Sequence, residues 1–82
     1  MEWIEIIELT EDLIRVRYYP EQRSATGEFG EVTYLRKHDE WHIDKVAKGY
    51  PSSYGFHAGR AIQRHEKFSS GEFKREGIIG WY

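Results

Sequence analysis

Apolar and polar residues alternate with a period of two through most of the first half of the chain. That is the spacing of half-buried strands, whose side chains point to opposite faces in turn. Trp3 to Leu9, with Ile4, Ile6 and Ile7, reads as a first strand. Ile6 and Ile7 are adjacent, so either both faces are partly covered or a bulge intervenes. Thr10-Glu11-Asp12 is a polar turn. From Leu13 to Tyr19 the alternation is cleaner: Ile14, Val16 and Tyr18 on one side, Arg15, Arg17 and Tyr19 on the other. Pro20 lacks a ladder donor and ends that strand. Glu21 to Glu28, with Ser24, Thr26 and Gly27, is a loop. A third strand is expected from about Phe29 to Arg36, with Val32 and Tyr34 facing one way, then a charged hairpin tip at Lys37-His38-Asp39-Glu40. A fourth, Trp41 to Ala47, puts Trp41 and Ile43 on one face and His42 and Asp44 on the other.

Beyond Gly49 to Ser53, which contains Pro51, the period changes to that of a helix. Ser52 or Ser53 is suited to cap its start. Tyr54, Ala58, Ala61, Ile62, His65 and Phe68 fall in one arc of the wheel, the stripe that faces a sheet. Gly59 lies at the edge of that stripe and costs about 1 kcal/mol against alanine, which close approach to a strand would explain. Ser69-Ser70-Gly71 ends the helix. The closing Gly77-Ile78-Ile79-Gly80-Trp81-Tyr82 is expected to pack on the core or add a short strand. The sum is β-β-β-β-α with a possible last β. It predicts an α+β domain: an antiparallel sheet of four or five strands with one helix on one face.

At 82 residues the chain holds one small domain. Hydrophobic residues are 39% and charged residues 32%, which excludes a membrane span and a disordered tail. Zero cysteines exclude disulfides, thiolate metal sites and thiol nucleophiles. Glu2, Glu5 and Glu8 deny the N-terminus both the positive start and the unbroken apolar core of a signal peptide. No apolar run approaches the roughly 18–20 residues that span a bilayer. A cytoplasmic protein with no membrane partner is the expectation.

Charge alters this plain picture. Net charge is −2, so a histone-like polycation is excluded. Yet residues 1–31 carry eight acids and three bases, whereas residues 32–82 carry six acids and nine bases. On the helix, His57, Arg60, Arg64 and Lys67 gather opposite the apolar stripe, and Lys74 and Arg75 follow. This basic ridge suits nucleic-acid phosphate or an acidic protein surface; it also suits a merely solvated face whose cations complement the helix dipole. Aromatic residues make up 16% of the chain, more than one helix over one sheet can bury, so some belong at an interface. Arg15, Arg17 and Tyr19 form a row on the sheet face away from the helix. Left open, that face could stack bases or bind a protein; alternatively the arginines pair with cross-strand Glu5 or Glu31.

Catalytic patterns are weak. His38-Asp39-Glu40-Trp41-His42 resembles H-E-x-x-H, but that motif needs a helix and this segment reads as a hairpin tip. His42 and Asp44 share a strand face and make at most an adventitious metal site. His65 lies in the apolar stripe, where a structural role is expected. No serine sits in G-x-S-x-G, and neither a P-loop nor G-x-G-x-x-G is present. No catalytic residue, cofactor or metal is therefore expected. The function expected is a non-enzymatic binding or regulatory protein acting through protein contacts, with an unknown partner or as a homodimer. The alternatives are a nucleic-acid-binding module using the ridge, with Arg15, Arg17 and Tyr19, and a small enzyme built on His42 or His65 with a carboxylate.

Tyr54-Gly55-Phe56-His57-Ala58 opening the helix and Gly77-Ile78-Ile79-Gly80-Trp81-Tyr82 closing the chain resemble small bacterial proteins of about 80 residues with a run of strands, one helix and a terminal Trp-Tyr. The resemblance covers the last third of the chain and implies no activity.

Overall fold

The computed structural model describes residues 2–21, 27–68 and 77–81, with side chains described up to residue 66. The strands are β1 (Glu2–Leu9), β2 (Leu13–Pro20), β3 (Gly30–Leu35), β4 (Glu40–Lys45) and β5 (Gly77–Trp81), and the helix is α1 (Ser53–Phe68). They form one sheet in the order β4-β3-β2-β1-β5, with every neighbouring pair antiparallel. The last strand is therefore present, beside β1. The chain leaves the sheet at β4, crosses in α1 over β2, β3 and β4, and returns at the opposite edge. The expected helix end at Ser69-Ser70-Gly71, the cations Lys74 and Arg75, and most of the loop after Glu21 lie outside the described residues.

Alternation does what the sequence requires of it. Ile4, Ile14, Val16, Tyr18 and Val32 are fully buried on the helix side, with Ile6 and Tyr34 nearly so. Ala58, Ala61 and Ile62 answer from the helix, and Trp41, Ile43, Tyr50 and Tyr54 close the rim. Each large aliphatic side chain so placed contributes roughly 1.5–3 kcal/mol. His65 is half-buried at the edge of this stripe. The adjacent Ile6 and Ile7 are resolved by a bulge: the β1–β2 register shifts between Ile6 and Glu8, which turns Ile7 outward. A shift between Glu31 and Val32 leaves Asp44 without an opposite residue on β3, and β4 ends at Lys45 rather than Ala47.

Two glycines one helical turn apart set the helix against the sheet. A Cβ on Gly59 would overlap the Trp41 indole, and one on Gly55 would press on the Ile43 side chain. The cost of Gly59 in the helix thus lets α1 rest directly on β4. Tyr18 locks the connection from β4 to the helix. Its buried hydroxyl accepts from the Ala47 amide at 3.2 Å and donates to the Lys45 carbonyl at 3.3 Å. Arg36 ties the far end together. Its Nε donates to Glu66 on the helix and its Nη1 to the Thr10 carbonyl in the β1–β2 turn.

Candidate functional site

The charged residues of interest fall on two opposite faces. Arg15, Arg17 and Tyr19 project from β2 on the sheet side away from the helix. Arg15 pairs with Glu8 at 3.0 Å, and Arg17 with Glu31 at 3.4 Å. Phe29 lies under the Arg17 guanidinium at 4.6 Å and under the Lys45 ammonium at 3.9 Å. Tyr19 meets the Phe29 ring at 5.8 Å and is only 5% exposed. This face is therefore covered by its own long side chains rather than bare. Phe29 does the covering from just before β3, a position that period-two alternation does not read. At its other end Thr33 donates to Asp44, which in turn holds His42 Nε2 at 3.0 Å. Among the described residues no cluster of three or more metal-ligating groups occurs.

The helix presents the other face. His57, Arg60 and Arg64 come together on its outer side, because residues three, four and seven apart share a face of a helix. Lys67 continues the row along the backbone, its side chain lying outside the described residues. These three side chains, with Ala61 between them, line a shallow hollow of about 140 Å³. Arg60 and Arg64 form no ion pair among the described residues, whereas Arg15, Arg17 and Arg36 each have a carboxylate. Phe56 flanks the row, half exposed and edge-on to Trp41 at 5.6 Å.

Beneath the row lies a residue that sequence reasoning passed over. Glu2, the first residue of β1, has a fully buried side chain. Its Oε1 is 2.9 Å from His57 Nδ1, yet neither carboxylate oxygen has a well-formed hydrogen bond among the described residues. Burial pushes the Glu2 carboxyl up from 4.5 to about 8, because an ionised carboxylate loses its water there. Burial also pulls the His57 imidazole below its usual 6.5, with the N-terminal ammonium and then Arg64 adding like-charge repulsion. Each group is thus held toward its neutral form. The only sequence signal for the pair is weak: Glu2 is an acid in phase with Ile4 and Ile6, the core-facing positions of a strand. The histidines that sequence did single out for chemistry do not converge. His42 sits on the far face and His65 at the core edge.

No protein-family model, curated protein or solved structure matches the chain. Among the described residues no helix is long and apolar enough to cross a membrane.

Proposed function

We propose that this is a non-enzymatic binding protein that docks its helix face on an acidic surface of a partner protein. The observation that carries the reading is the contrast among its arginines. On the sheet and at the helix end every described arginine is matched by a carboxylate, while Arg60 and Arg64 stand side by side with no carboxylate partner among the described residues. An unmatched pair of cations one turn apart attracts an anionic surface and fixes its register. The exposed Phe56 beside them supplies the apolar contact that binding surfaces place next to such charges. Freedom from cysteine fits a cytoplasmic setting for this encounter.

Nucleic acid fits less well. Net charge is −2, and Tyr19, the aromatic side chain that might stack a base beside Arg15 and Arg17, is buried. Those two arginines also lie across the sheet from the helix row, so one strand of nucleic acid would not meet both sets.

The test is an amide-shift titration of the whole protein with a poly-glutamate peptide and, separately, a DNA duplex, each at two salt concentrations. The peptide should move resonances from Phe56 to Arg64. Arg60→Ala and Arg64→Ala should each weaken it about two- to fivefold, as expected for exposed charge pairs of 0.5–1 kcal/mol; Arg15→Ala should leave it unchanged. Shifts confined to the sheet face, or a self-association that the peptide does not perturb, would remove the reading. Tighter binding to the duplex with steep salt dependence would replace it with the nucleic-acid one.

A further inference from the structure

We propose that the hollow between Arg60 and Arg64, with His57 at its side, is a binding site for a phosphomonoester carried by the acidic partner. The inference rests on the docking reading above and names the group that the docked surface inserts.

Shape comes first. His57, Arg60, Ala61 and Arg64 follow one another along one face of α1. Ala61 has no side chain beyond Cβ, so the two long arginines flank a depression instead of filling it. Its volume of about 140 Å³ is roughly ten times the ~10–15 Å³ that one water needs by the same kind of measure. A tetrahedral oxyanion fits such a space.

Donor chemistry comes next. A single guanidinium satisfies a planar carboxylate through two parallel hydrogen bonds. A second guanidinium and an imidazole around the same hollow exceed what a carboxylate accepts. They match a phosphate, which offers three terminal oxygens and about two negative charges.

The third element is the buried carboxyl behind His57. Glu2 and His57 approach to 2.9 Å, and neither Glu2 oxygen has a well-formed hydrogen bond among the described residues. From β2 the Tyr18 phenol, and from α1 the Tyr54 phenol, feel the Glu2 charge; the N-terminal ammonium acts on both Glu2 and His57, and Arg64 on His57. At neutral pH the pair holds one proton, kept on Glu2 because burial raises that carboxyl and lowers the imidazole. A dianion in the hollow reverses the preference. The Glu2 O–H bond breaks, the proton forms an N–H bond at His57 Nδ1, and no proton is exchanged with solvent. The imidazolium then faces the phosphate and the carboxylate sits behind it. A carboxylate, with half the charge, drives this transfer less.

The test compares two peptides of identical glutamate-rich sequence, one with phosphoserine and one with serine at the centre, and adds inorganic phosphate as a third probe. Calorimetry and histidine-ring NMR of the whole protein read the result. The phosphopeptide should bind at least tenfold tighter and move the His57 ring. Its heat at pH 7 should not depend on the buffer's ionisation heat. Glu2→Gln, similar in size but unable to give up a proton, should bind with uptake of a proton from the buffer. Equal affinity for both peptides would sink the hollow and leave the docking reading standing. Failure of both peptides would sink the docking reading itself. Binding of inorganic phosphate without the phosphopeptide, or phosphopeptide binding that leaves His57 unmoved, would equally overturn the proposal.

Discussion

Arg36 Nε lies 2.7 Å from Glu66 Oε1, joining the residue after β3 to the last turns of the helix. Both side chains are mostly buried, and the same guanidinium donates to the Thr10 carbonyl at 2.6 Å. Arg36→Ala removes both bonds and leaves the Glu66 carboxylate facing a space with little water. The expected cost is about 1–3 kcal/mol. Glu66→Ala should cost less, since Arg36 keeps Thr10. Urea unfolding of the two variants checks the order; equal losses would show that the Thr10 bond contributes nothing.

Gly59→Ala sets two effects against each other. Alanine gains about 1 kcal/mol in helix propensity. Its Cβ, however, would overlap the ring of Trp41 on β4, which also packs edge-on against Phe56 and is not a flexible tip. Overpacking of this kind costs typically 1–3 kcal/mol, so the variant should be less stable than the parent. Thermal melting gives the sign. Gly59→Ala combined with Trp41→Leu should recover part of the loss.

Tyr18→Phe deletes one hydroxyl and two hydrogen bonds. The Ala47 amide would be left buried without its acceptor, at about 1–3 kcal/mol. Hydrogen exchange should then quicken at Ala47 more than in the middle of β2. Uniform quickening would mean that the hydroxyl matters only to global stability.

Glu2 makes stability depend on pH in the direction opposite to a salt-bridged acid. Its carboxyl titrates near 8 when folded and near 4.5 when not. The folded state holds the proton more tightly, so the contribution is full below about 4.5. It shrinks as pH rises through this window and is gone above about 8. Glu2→Gln is neutral throughout. It should match the parent near pH 4.5 and exceed it at pH 8 by on the order of 4 kcal/mol. Unfolding curves at pH 5, 6.5 and 8 report the difference, and a gap that stays constant across them would refute the assignment.

Local patterning carried much of this fold. Ile14, Val16 and Tyr18 declared the buried face of β2 because their neighbours are arginines. The helix stripe showed itself in Ala58, Ala61 and Ile62 in the same way. Even the ambiguity at Ile6 and Ile7 was informative, since a bulge is what two adjacent apolar residues in a strand demand. Contacts between distant residues were not legible. Glu2 meets His57 only because β1 lies inside the sheet and α1 crosses above it, and alternation does not reveal strand order. The helix row itself was visible as a cationic ridge. That Arg15 and Arg17 have carboxylate partners, and Arg60 and Arg64 none among the described residues, depends on which carboxylates the register brings opposite.

The irregular edge at β4 bears on how the molecule behaves in a crowded solution. A regular outer strand offers its free amides and carbonyls to any other strand, and is a common seed of fibrils. Here that margin is short, carries Glu40, His42, Asp44 and Lys45, and is bent by the unmatched Asp44. An incoming strand would have to strip water from these charges and follow a kinked backbone. Concentrated samples should therefore resist stacking through this side.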